Sequence, residues 1–253
     1  MCTVVIHVPE TADEEVRLLA VRDEDPSRLW DPPGYWWPEL PGVVGVRDRL
    51  AGGAWLAANP GEGRLAVVLN RADVFSGGLP AGPNGLASRG SLVLEAAVGS
   101  AVPEVPRTAG FNLVEVAGGV ATVTSWDGAT LTRTVLAPGV HMVAHDDVDD
   151  PRTARIEAWL PAFRAAAEAG GSSEVDWRRR WLDVLEGTAA LPVDDDRAII
   201  RDNRSDGYPT LSLLVCLAEI RPGIAGGDER VRLSSATLDE PAVWEHPDFQ
   251  TAT

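Results

Sequence analysis

Runs of apolar and polar positions divide the chain into short elements. Residues 3–8 are β-branched and apolar, and residues 16–21 form a second apolar run, so both predict strands. Between them, the polar stretch 9–15 opens with Pro9 and predicts a loop. Residues 64–69 predict a buried strand that ends at Asn70, and residues 111–116, 121–126, 131–136 and 140–144 predict successive strands. Gly118-Gly119 and Asp127-Gly128 supply the turns of a meander. Ile156, Trp159, Leu160, Phe163 and Ala167 follow helical spacing, with Asp150 as the expected N-cap and Pro151 at the first helical position. A second helix is predicted over 175–185, capped by Ser173, with Trp181, Leu182 and Leu185 inward, and a shorter one over 91–98. Residues 211–218 and 231–235 predict closing strands. Residues 31–38 and 73–89, rich in Pro and Gly, predict loops, and the acidic tail predicts no element.

The first hairpin has a chemical consequence. If it folds about Ala12, residues whose numbers sum to about 24 lie opposite each other, and Cys2 faces Arg22 and Asp23. Once Met1 is trimmed, Cys2 combines a thiol nucleophile with a free α-amine whose ordinary pKa is about 8, able to serve as its base. Asp23 could hold that amine, and Arg22 could favour the thiolate or bind a substrate carboxylate. The competing reading makes Arg22, Asp23, Glu24 and Asp25 a solvated turn. Asn70, at a strand end, could donate to a developing oxyanion or simply form a turn. Trp36 and Trp37, with Trp30, could wall a ligand pocket or staple a loop.

Composition narrows the function classes. The 253 residues carry a net charge of −16 and no lysine, so every fixed side-chain cation is arginine. That balance disfavours nucleic acid and anionic membrane as partners. No apolar run approaches the ~20 residues of a membrane span, and no leader pattern opens the chain, so a cytoplasmic location without membrane insertion is expected. Cys216 sits in an apolar run and reads as a buried, inert thiol. His141 and His145 beside the acidic stretch 146–150 invite a metal, but helix capping explains the acids better.

Met1 through Val5, then Leu19-Ala20-Val21-Arg22-Asp23-Glu24, resemble the start of the NRDE family, also called the transport and Golgi organisation protein 2 family. Gly52-Gly53-Ala54-Trp55-Leu56, Gly63 through Asn70, Ser88-Arg89-Gly90, Gly110-Phe111-Asn112-Leu113 and Leu136 through Val140 follow in the family's order. The resemblance implies an α+β fold of the N-terminal-nucleophile hydrolase kind: one domain over 1–253, a four-layer αββα sandwich of two mainly antiparallel sheets between helices. It implies Cys2, Arg22, Asp23 and Asn70 as catalytic residues; Trp36, Trp37, Asn112 and His145 are the residues expected to bind substrate. The expected activity is hydrolysis of a linear amide, a carbon-nitrogen bond other than a peptide bond, with no required cofactor. The alternative is a non-catalytic carrier of haem or acyl-lipid, with His145, His7 or Cys2 as iron ligands. Three departures bear on this. Val21 replaces the asparagine of the family's Asn-Arg-Asp-Glu, His145-Asp146 stands where relatives place asparagine, and Leu211 stands where some carry arginine.

Overall fold

A computed structural model of the chain describes residues 2–71, 86–169, 174–222 and 229–252, with side chains 174–176 excepted. Its strands are β1 (Thr3–Val8), β2 (Val16–Glu24), β3 (Trp30–Gly34), β4 (Val44–Asp48), β5 (Ala54–Asn59), β6 (Arg64–Asn70), β7 (Phe111–Ala117), β8 (Val120–Trp126), β9 (Leu131–Val135), β10 (Gly139–Val143), β11 (Leu211–Ile220), β12 (Val231–Thr237) and β13 (Gln250–Thr251). The helices are α1 (Gly90–Ala97), α2 (Ala154–Glu168) and α3 (Glu174–Ala189). They build two antiparallel sheets, ordered β10-β1-β2-β11-β12-β13 and β3-β4-β5-β6-β7-β8-β9.

The first sheet is buried on both faces, and its sequence says why. Every residue of β11 is buried. Because strand side chains alternate, Leu214, Cys216 and Ala218 enter the core shared with the second sheet, while Val215 and Leu217 meet the helices. β1 and β2 divide likewise: Val4, Ile6, Leu18 and Ala20 face the second sheet, and Val5, Leu19 and Val21 face Ile156 and Phe163 of α2 and Trp177 and Trp181 of α3. Helix α1 packs across β5 and β6 of the other sheet. The expected α+β sandwich of four layers, αββα, is the observed architecture.

Three local expectations need correction. Residues 31–38 are not wholly loop, because Trp30–Gly34 pairs with β4 as an edge strand, where prolines cost little as one side lacks a ladder partner. Helix α2 begins at Ala154, not at Pro151. The Asp150 carboxylate accepts from the Arg152 backbone N–H (2.9 Å) and guanidinium, and the chain turns once more before Thr153, which holds the N-cap position while its hydroxyl donates to Asp146. The acidic tail does form structure: β13 pairs with β12, and Trp244 and Phe249 pack against the helical layer. Most of 73–89, and Ser173, lie outside the described residues.

His141 is held at both ring nitrogens by acceptors, Asp149 Oδ2 at 2.7 Å and the Ala137 carbonyl at 2.9 Å. The Asp149 carboxylate therefore raises its pKa above the ordinary value against the opposing effect of burial. A raised histidine stabilises the fold below its unfolded pKa and loses that contribution as pH rises through the folded value. His141→Gln should accordingly lose on the order of 1 kcal/mol at pH 5.5, with the deficit shrinking above neutrality. Urea melts of both proteins from pH 5 to 9 check this, and a pH-independent difference would refute it.

Candidate functional site

The β1–β2 register positions the site. Thr3 pairs with Val21, Val4 with Ala20 and Val5 with Leu19, the sum of 24 expected from sequence. Continuing the ladder brings Cys2 to the Arg22–Asp23 step, where the Asp23 N–H donates to Sγ (3.4 Å) and the thiol reaches the Asp23 carbonyl (3.5 Å). Arg22 and Asp23 are not a solvated turn. They are the last buried residues of β2, 2 % and 7 % exposed.

Alternation then separates their roles. Arg22 follows Ala20 toward the second sheet, and Asp23 follows Val21 toward the helices. A β-bulge between Ser212 and Leu214 sets Ser212 opposite Asp23. Ser212 Oγ donates to Asp23 Oδ1 (2.6 Å), and Asn203 Nδ2 donates to Oδ2 (3.1 Å). Arg155 on α2, 1 % exposed, donates from Nη1 to Thr3 Oγ1 (3.1 Å) and feels the Asp23 charge. Asp23 is thus the anchor of a buried polar network directly beneath Cys2.

On the other side, Arg22 stacks over the Trp30 ring (5.2 Å) and donates from Nη2 to Glu24 Oε2 (3.1 Å). Burial depresses its pKa from the usual guanidinium value. Arg28 links Glu24 to Asp48 along the rim. Together with Cys2 these residues line a cavity of about 460 Å³, completed by Trp55, Val68, Asn70 and Arg89. Two glycines from the sequence motifs shape its wall. A Cβ on Gly53 would lie 2.6 Å from the Gly90 carbonyl carbon, so only glycine allows the start of β5 to approach α1 this closely.

The thiol itself is shifted upward, chiefly by burial and then by the Asp23 carboxylate, and Arg22 opposes without prevailing. A neutral thiol needs a base to become a nucleophile. Cys216, fully buried, is pushed to about 12 by burial, in keeping with an inert core thiol.

The structure brings together Cys2, Arg22, Asp23 and Asn70, all on one cavity, and Asn70 is exposed at the end of β6. It does not bring in the four residues expected to bind substrate, none of which lines that cavity. Trp37 donates its indole N–H to the Gly52 carbonyl (2.8 Å), and Trp36 donates to Pro32 and lies under Arg47, so both staple their segment. Asn112 is fully buried, with Nδ2 on the Ala144 and Asp146 carbonyls (3.0 and 2.7 Å) and Oδ1 accepting from Ser125 (2.7 Å). It clips β7 to the segment after β10, which leaves its amide no free group for a ligand. His145 lies beside Asp146, 3.4 Å from its carboxylate, and burial lowers its pKa. His7 lines a different cavity from Cys2, shared with His141 and Arg164. Sequence reasoning missed Trp55, Asn203, Ser212 and Arg155. Only Trp55 had a signal, its place in the Gly52–Leu56 motif.

An antiparallel two-sheet sandwich with a cysteine at the head of its first strand, opening on a cavity, defines the class. The sequence model of the family described as Transport and Golgi organisation 2 matches residues 1–203, and the chain belongs to that family. Among solved structures it is similar to a Caenorhabditis elegans N-acylethanolamine-hydrolyzing acid amidase (NAAA) ortholog, with a TM-score of 0.45 and 12% identity, covering 88% of this chain and 94% of that one. No curated protein sequence matches the chain. Among the described residues, no helix is long and apolar enough to cross a membrane.

Proposed function

We propose that the protein is a cysteine amidohydrolase of the N-terminal-nucleophile kind, acting on a linear amide outside peptide bonds. One observation carries this reading: the Cys2 thiol opens on a cavity edged by Arg22, Asp23 and Asn70. After removal of Met1, the Cys2 α-amine takes the thiol proton as sulfur attacks the amide carbonyl carbon. Asn70 donates to the oxyanion, and the amine returns the proton to the departing nitrogen as the C–N bond breaks. Water then hydrolyses the thioester, restoring the thiol and releasing the acid. A neutral sulfur with an adjacent base needs no preformed thiolate for this route. Asp23, held by Ser212 and Asn203, fixes the strand end on which the amine sits.

A β-lactam offers an electrophilic amide, and its ring opening should leave a stable mass increment on Cys2. Incubation with penicillin V followed by intact-mass and peptide mapping is expected to show one adduct in the wild type and none in Cys2→Ala. Equal labelling of the variant, or an N-terminal methionine retained in protein from its own host, would sink the hydrolase. A second reading, a carrier of haem or acyl-lipid on the same scaffold, is favoured by the family membership and by Leu211, which is buried in β11 opposite Glu24 where some relatives carry arginine. A saturable Soret shift on haem titration that survives Cys2→Ala would favour the carrier.

A further inference from the structure

The cavity beside Cys2 carries more hydrogen-bond donors than the protein satisfies. Of the Arg22 guanidinium, only Nη2 has a partner, Glu24; Nε and Nη1 are buried with no hydrogen-bond partner among the described residues. The indole Nε1 of Trp55 is in the same condition. Arg22 is 2 % exposed and Trp55 8 %, and both line the cavity. They come from different sheets, Arg22 from β2 and Trp55 from β5, and the cavity is where the two meet. An indole N–H and a guanidinium donate only and cannot satisfy each other. Leaving such donors buried without an acceptor is unfavourable, most of all for a charged group.

We infer that this pair is a binding subsite for the carboxylate of a small monoanionic ligand. A carboxylate is acceptor-only, with about four lone-pair positions on two oxygens, enough for all three donors. The arginine gives a charge-assisted bond, and the tryptophan sets direction. The fixed charges of the lining select a single negative charge. With the Asp23 carboxylate turned to Ser212 and Asn203, Arg22, Arg28 and Arg89 face only Glu24 and Asp48 in the lining, a surplus of one positive charge that a monoanion balances and a dianion exceeds. Ala51, Ala54, Val68 and Ala109 add a small apolar stretch to a wall that also holds Asn70 and Ser88, room for a short hydrocarbon body beside polar groups. This inference rests on reading the Cys2 cavity as the ligand site, though not on attack by the thiol.

Titration calorimetry with hexanoate and hexanamide tests it, since the two differ only in the group that meets the donors. Hexanoate is expected to bind saturably and at least about tenfold more tightly than hexanamide, the worth of one charge-assisted hydrogen bond or more. Trp55→Phe keeps the ring and removes only the N–H donor, and it should weaken hexanoate by about tenfold while leaving hexanamide little changed. Equal affinity for the two ligands, no saturable heat with hexanoate, or an unchanged hexanoate affinity in Trp55→Phe would each overturn the inference. Cys2→Ala should still bind hexanoate. If penicillin V fails to label the wild type while hexanoate binds as described, the hydrolase falls and the carboxylate subsite stands.

Discussion

Asp23→Ala is expected to destabilise the fold by about 3–5 kcal/mol, the range for removing one member of a buried charged network. The carboxylate is 7 % exposed and accepts from Ser212 Oγ and Asn203 Nδ2, and its charge is what opposes the burial penalty on Arg155. The truncation leaves that guanidinium, 1 % exposed, without its nearest counter-charge. It also leaves Ser212 Oγ only the Ile199 carbonyl, at 3.3 Å, as an acceptor. Asp23→Asn, which keeps the shape but not the charge, should fall between Ala and wild type. Urea denaturation at pH 7 measures this, as a lower midpoint at unchanged slope. A loss under about 1 kcal/mol for Asp23→Ala would mean that the network is solvated and that Asp23 does not anchor the strand end.

That prediction depends on partners the sequence did not reveal. The β1–β2 hairpin was legible, because β-branched runs flank a polar loop and the loop midpoint sets the register; Cys2 beside Asp23 followed from it. What surrounds Asp23 was not, since Asn203 and Ser212 lie 180 and 189 positions away and reach it only through a bulge in β11. The same holds for Asn112. A buried amide reads as polar and available, yet its acceptors are carbonyls 32 and 34 positions on, in the segment that follows β10. Strand β5 was overlooked because Ala dominates where β-branched residues would announce a strand, and β4 because its two valines, split by Gly45, give way at once to Arg47 and Asp48. β5 is Ala-Trp-Leu-Ala-Ala-Asn, and its small side chains serve close approach to its neighbours: a Cβ on Gly45 of β4 would meet the Leu56 carbonyl at 2.4 Å. In β11, buried on both faces, Leu213 through Ala218 were readable as a continuous apolar run, flanked by the polar Ser212 and Glu219.

The helical layer yields the second large effect. Trp181 is 1 % exposed on α3, edge-on to Phe163 of α2 (5.6 Å, 78°) and to Trp177 (5.3 Å, 88°), and the cluster rests on Val5, Leu19, Val21 and Val215 of the first sheet. Trp181→Ala removes the ring that meets Phe163 of α2 and opens a cavity that neighbouring rings fill only in part, for a cost of about 3–5 kcal/mol. Trp181→Phe retains a ring against Phe163 and should recover more than half of that loss. The same urea experiment reads both variants, and a deficit below about 1 kcal/mol for Trp181→Ala would show that the two helices hold together without it. The consequence extends to the site, because α2 carries Arg155 to Thr3, the residue after Cys2. A loosened helical layer should therefore slow penicillin V labelling of Cys2 even under conditions where the protein remains folded, and restoring the ring should restore the rate.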